Sequence, residues 1–259
     1  MFRRGIHRKS NFTGLFSPKF RLKTGTTGRA FIDFVQANMD ADACMINPFP
    51  QMAYFSFNMW THGDTFHPGL IERAQKLFDE SGVDVNIANI GRQGPDTICY
   101  CNFWVGTEQF WNEYVGGILL PIAEFLEREP NHAVAKSVMV DTQHTVPAPF
   151  LPFIIERLFS TFLSSKNKLI VRSYPMNPMG ACLNDFEREA VRYFEKTVRE
   201  ADRQKSFPPE LARCSTILVD SITGTIRRTI VAVPHPHTGY RMKLLREEPA
   251  AEPWVQSPT

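Results

Sequence analysis

The sequence predicts an α/β protein, a mixed open sheet flanked by helices. Two observations carry this. Apolar strand-like runs alternate with helix-period stretches through most of the chain, an order that layers helices on a sheet. The composition, 43% hydrophobic and 22% charged over 259 residues, is that of a chain able to bury a core without disulfides or metal. The 21 phenylalanines make that core rich in rings. No G-x-G-x-x-G, P-loop or G-x-S-x-G pattern occurs, so dinucleotide-binding, P-loop and hydrolase readings lose their usual support.

The elements follow in order. Residues 12–22, FTGLFSPKFRL, read as β-compatible and end in the turn cluster KTGTTG. Thr27 caps a short helix with Phe31, Phe34 and Val35 on one face. ACMINPFP is a buried strand stopped by prolines. The aromatic stretch from Met52 to Gly69 has no clean period. Pro68 opens a helix through Leu70, Ile71, Ala74, Leu77 and Phe78, and Gly82 stops it. VDVNIANI alternates like a strand, and TICYCNFWV is a stronger strand candidate. Thr107 caps the longest helix, in which Pro121 predicts a kink. Residues 147–163 form an apolar helix, NKLIVRSYP a strand, and Asn184 with Glu187 a capping box. Beyond Ser206, STILVDSITGTIRRTIVAV reads as one or two strands. The PHPHTG turn and a disordered tail follow.

Net charge is +2, which excludes a charge balance of the nucleic-acid-binding kind. The first 32 residues nevertheless carry eight Lys/Arg and no carboxylate. They are either a solvated basic end or an electrostatic foothold for peripheral contact with anionic lipid or a polyanion. No apolar run is long enough for a signal core or a membrane span. Five cysteines, an odd number, fit buried free thiols in a reducing, cytoplasmic setting. Cys99 and Cys101 lack the second pair that zinc requires.

Several clusters could carry chemistry. Asp40-Ala41-Asp42 is a D-x-D, the arrangement that holds Mn²⁺ or Mg²⁺ against a diphosphate; equally, it fits a helix exit followed by a strand start. His62, Asp64 and His67 in THGDTFHPG could ligate or act as acid and base, or His67 could only cap a helix. They are expected to border a pocket with Asp42 or Asn102. Asn102, at a strand end, faces the usual ligand crevice or forms a turn. Trp104 and Trp111 offer rings for stacking on a sugar, Trp111 being at core spacing. Glu156-Arg157 lies inside an apolar helix. Glu156 is expected inward, as base or ligand, on an arginine other than Arg157 or on a backbone donor; the alternative is an exposed strip with Arg157 and Ser160.

The blocks FTGLFSPKFRLKTG, DADACMINP, CNFWVGTEQFWNEYVGGILLPI and FIIERLFSTFL, in this order over residues 12–165, resemble bacterial capsular-polysaccharide glycosyltransferases of GT-A-type fold. The resemblance implies sugar transfer from a nucleotide sugar to a surface-glycan acceptor. It points to Asp42 and Asn47 near the donor, Asn102 at the strand end, and Glu156 with Arg157 on the later helix. Only eleven residues precede the first block, so a GT-A-like but incomplete fold is expected, with a non-catalytic glycan- or partner-binding module as the alternative function. The expected division is a transferase-like domain over residues 1–205, a basic β-rich extension over 206–245 and a tail over 246–259.

Overall fold

The computed structural model describes residues 1–142, 147–166 and 168–232. After two short 3₁₀ turns comes β1 (Thr13–Gly14), then α1 (Phe20–Thr24), α2 (Gly28–Gln36) and β2 (Ala43–Met45). Next are α3 (Met52–Phe55), α4 (Met59–Phe66), α5 (Leu70–Ser81) and β3 (Trp104–Gly106). The long helix begins as α6 (Glu108–Phe110), passes through a π-helical segment (Trp111–Leu119) and ends as α7 (Leu120–Arg128). The chain continues through α8 (Ala133–Val138), the pair β4 (Asp141–Thr142) and β5 (Ala148–Pro149), α9 (Phe150–Ser165) and β6 (Val171–Ser173). Three helices close it, α10 (Pro178–Ala181), α11 (Asp185–Arg203) and α12 (Pro209–Ala232).

The main sheet has the order β1-β3-β2-β6. β3 is antiparallel to both neighbours, and β2 and β6 run parallel, with Cys44 opposite both Val105 and Arg172. β1 lies so close that a Cβ on Gly14 would sit 2.5 Å from the Trp104 carbonyl oxygen, so only glycine fits there. Alternation sends Ala43, Met45 and Trp104 to one face, against rings from the 108–128 helix and α9. Cys44, Ile46 and Phe103 go to the other face, onto Phe20, Phe31 and Val35 of α1 and α2. A further core joins α3, α11 and α12. The fold is thus mixed helix and sheet, with a small sheet between helical layers.

Local signals place several helix ends. The hydroxyl of Thr27 accepts from Ala30 N–H at 3.1 Å, and that of Thr107 from Phe110 N–H at 3.3 Å. Asn184 Oδ1 accepts from Glu187 N–H at 2.8 Å, while Glu187 Oε2 accepts from Leu183 N–H at 2.7 Å. Gly82, at φ 69°, ends α5. Pro121 lies where π pitch returns to α, since it has no N–H for the carbonyl behind it.

Three readings are corrected. Residues 209–232 form α12, not strands. Leu211, Ser215, Val219 and Ile222 recur at helical spacing and are buried, so burial against α3, α4 and α11 overrides the β-branched composition. VDVNIANI is a loop ending in a 3₁₀ turn, because Gln75 takes its ladder bonds: Oε1 accepts from Ile87 N–H at 2.9 Å and Nε2 donates to the Val85 carbonyl at 3.0 Å. Within 12–22 only Thr13–Gly14 is strand, and Phe20–Thr24 is helical. The PHPHTG turn, the tail and the remainder of the expected β extension lie outside the described residues.

Candidate functional site

The parallel strands β2 and β6 end at Met45 and Ser173, and a crevice of about 240 Å³ opens beyond them. Its lining includes Asn47, Tyr54, Asp96, Tyr174 and Arg199. Ligands of open α/β sheets bind outside the carboxyl ends of strands. Larger hollows lie along Arg92 to Phe207, about 530 Å³, and along Val83 to Lys166, about 480 Å³. Neither is at a strand end. In the first, Arg92 is already tied to Asp202 at 3.0 Å and to the Ser56 carbonyl at 2.7 Å.

Asn47 is buried, and its Oδ1 accepts from Phe49 N–H at 3.0 Å and Tyr100 N–H at 3.4 Å. Those bonds fix the carboxamide, so its NH₂ is the group left for a ligand. Arg199 lies over the Tyr54 ring at 5.2 Å and pairs with Glu195 at 2.8 Å. Burial raises the Tyr54 phenol above its ordinary value. Asp96 is exposed and has no acid-pairing cation among the described residues. The crevice therefore offers two tyrosine rings, an amide donor, a cation and a free carboxylate. Tyr54, Asp96, Tyr174 and Arg199 were not legible as a site in the sequence, since they come from four separate segments. Only Tyr174, near the end of a predicted strand, carried a positional signal.

A second, largely buried cluster holds several of the residues singled out in the sequence. Glu156 faces inward: its Oε1 accepts from Cys101 N–H at 2.7 Å. Contrary to the geometric expectation, Arg157 also reaches it, with Nη1 3.5 Å from Oε2, because the long side chain bends back. Arg157 is 2% exposed; its Nε donates to the Met59 carbonyl at 2.9 Å and its Nη1 to the Phe153 carbonyl at 2.6 Å. Desolvation lowers its pKa, while Glu156 opposes the shift. Ser160 is buried too and accepts from Cys99 N–H at 2.9 Å, so no exposed strip exists. Cys101 and Asn102 hold φ of 66° and 52°, consecutive left-handed residues in a tight turn just before β3, so Asn102 precedes a strand and does not end one as expected from TICYC. Among the described residues the buried Asn102 Oδ1 has no partner. Lys23 Nζ lies 3.0 Å from Cys101 Sγ, and burial pushes that thiol up to about 12.

His62 and His67 do not line the strand-end crevice. His62 Nδ1 lies 2.8 Å from the Tyr100 hydroxyl, and desolvation, then the charges of Arg157 and His67, lower its pKa to about 3. It is a neutral imidazole near pH 7, unsuited there to proton exchange. His67 Nδ1 is 3.3 Å from Thr142 Oγ1, and its ring stacks on Phe153 at 3.9 Å. Trp104 is core rather than a sugar platform; it stacks on Phe159 at 5.3 Å under Phe110 and Tyr114.

Each D-x-D carboxylate already has a protein partner. Asp40 pairs with Arg172 at 2.7 Å, which lowers its pKa, and Asp42 Oδ2 accepts from Ile170 N–H at 2.8 Å. Their work is to join β2 to β6. Among the described residues no three His, Cys, Asp or Glu side chains group as metal ligands. Among them, too, no helix is long and apolar enough to cross a membrane.

One prediction arises from Glu156. Glu156→Gln keeps an oxygen for the Cys101 N–H and should cost under about 1 kcal/mol in urea unfolding. Glu156→Ala strands that donor in a strained turn and should cost about 2 kcal/mol. Equal costs would show that the carboxylate does not hold the turn.

No family model, curated protein or solved structure matches the chain.

Proposed function

We propose that the protein binds a nucleotide sugar in the crevice beyond β2 and β6, and transfers the sugar to a surface-glycan acceptor on a GT-A-like scaffold. The observation that carries this reading is the crevice itself. It lies at the carboxyl ends of the parallel strand pair and joins Tyr54 and Tyr174 to polar groups from Asn47, Asp96 and Arg199. Rings suit a base or a sugar face, the Asn47 amide a hydroxyl, and Arg199 a phosphate. Asp96 is the crevice carboxylate available to accept the acceptor's proton. Because Asp40 and Asp42 are engaged elsewhere, no step in this reading passes through a metal held by them.

A second reading, a non-catalytic glycan- or partner-binding module, is favoured by one observation. Glu156, Arg157 and His62 all hold buried structural bonds rather than facing the crevice.

Thermal melting of the full chain with UDP, GDP or CMP, each with and without Mn²⁺ or Mg²⁺, separates the two. A nucleotide at a hundred times its Kd stabilises by about 2.7 kcal/mol, a rise in Tm on the order of 5–10 °C for a chain this size. Tyr174→Ala should abolish the rise. A rise with oligosaccharides and none with any nucleotide at millimolar concentration would move the assignment to the second reading.

A further inference from the structure

The segment from Leu15 to Leu22 lies at the β1 edge of the sheet and turns its aromatic residues inward. Phe16 and Phe20 stack at 4.8 Å and pack on Phe31 and Phe103. That inward turn leaves Leu15 73% exposed and Leu22 57% exposed, both large for leucine in water. Ser17, Pro18, Lys19 and Arg21 between them are exposed as well. Among the described residues neither Lys19 nor Arg21 has an acidic partner. Of the other cations of this end, Arg3 pairs with Glu127, Arg8 with Glu108 and Arg29 with Asp33. The first carboxylate in the sequence is Asp33.

We propose that this segment docks the protein on an anionic membrane surface, with Leu15 and Leu22 entering the headgroup layer and Lys19 and Arg21 meeting lipid phosphates. The pairing of features decides the partner. A polyanionic glycan would use the two cations and leave the leucines in water. A neutral bilayer would use the leucines and leave the cations without counter-charge. An anionic bilayer uses both, because apolar burial and attraction to negative lipid add at one interface. The contact is peripheral and reversible, since two leucines bury little and surface charge is screened within about 8 Å at physiological salt.

Sedimentation of the full chain with phosphatidylcholine vesicles, with and without phosphatidylglycerol, tests this. The chain should partition onto the anionic vesicles alone and leave them as salt rises. Lys19→Gln and Arg21→Gln should each weaken partitioning by roughly fivefold at low salt. Leu15→Ser with Leu22→Ser should weaken it further, and Leu15→Trp should strengthen it, since indole favours the interface. All four positions are exposed, so melting curves of these variants should overlay the parent. No binding to anionic vesicles would overturn the proposal. So would partitioning unchanged by the leucine variants, or binding to heparin in solution as tight as to vesicles and insensitive to those leucines.

Discussion

Replacing Gly63 with alanine should destabilise the protein by about 3 kcal/mol or more, although alanine in a helix interior normally gains about 1 kcal/mol over glycine. Gly63 lies within α4, and a methyl built on it would overlap the guanidinium of Arg157. The guanidinium has little room to withdraw. It is buried, tied to the Met59 and Phe153 carbonyls and close to Glu156. Moving it breaks both of these bonds and leaves a buried charge short of partners, a loss of about 3–5 kcal/mol in comparable cases. The measurement is urea unfolding of Gly63→Ala, Arg157→Met and the double variant. If the clash is the cause, the double variant should be less destabilised than the sum of the singles, because methionine leaves space where the guanidinium lay. Additive costs, or a Gly63→Ala variant as stable as the parent, would show that the contact is not what makes glycine necessary.

Helix ends were legible because their signals are local. Thr27, Thr107 and Asn184 cap the helices they were expected to cap, and Gly82 ends α5. The order of layers was legible for a similar reason, since alternation along ACM already assigns each side chain to a face of the sheet. What failed depended on partners distant in sequence. VDVNIANI has strand periodicity, but Gln75 on α5 supplies the bonds a neighbouring strand would have made. The 209–232 segment is rich in β-branched residues, yet its spacing fits one helical face and α3, α4 and α11 cover that face. Composition was a weaker guide there than period.

The candidate site divides in the same way. The inward orientation of Glu156 followed from the apolar sequence around it, because a carboxylate on such a helix needs a donor. That the donor is the Cys101 N–H could not be read, since it requires the left-handed turn at Cys101 and Asn102. The D-x-D spacing did not show the partners its carboxylates take. Arg172 and the Ile170 backbone claim its carboxylates, and both come from the neighbourhood of β6, about 130 residues on. The crevice combines residues 47, 54, 96, 174 and 199, and no spacing rule gathers these.

Acid should destabilise the protein earlier than its carboxylates alone predict, and His62 should be the reason. Its folded-state pKa is lowered to about 3 from an ordinary 6.5, first by desolvation and then by the charges of Arg157 and His67. The group is depressed on folding, so between pH 6.5 and about 3 the unfolded chain binds a proton that the native state refuses. Stability therefore rises with pH through this window and falls as pH is lowered through it. Above 6.5 both states are neutral and the effect vanishes. At 1.36 kcal/mol per pH unit, the loss between pH 6.5 and 4 is about 3 kcal/mol, a large part of a typical domain's stability. Protonation is refused for a structural reason. Nδ1 is committed to the Tyr100 hydroxyl, and Nε2 is buried with no partner among the described residues. His62→Asn retains a polar atom near the Tyr100 hydroxyl and does not titrate. Urea unfolding of parent and variant from pH 7.5 to 4 should show the variant less stable at neutral pH but with the shallower decline, the two curves converging by about 3 kcal/mol at the acid end. Parallel curves would mean that His62 accepts its proton in the folded protein as readily as in water, and that its burial is not what excludes charge.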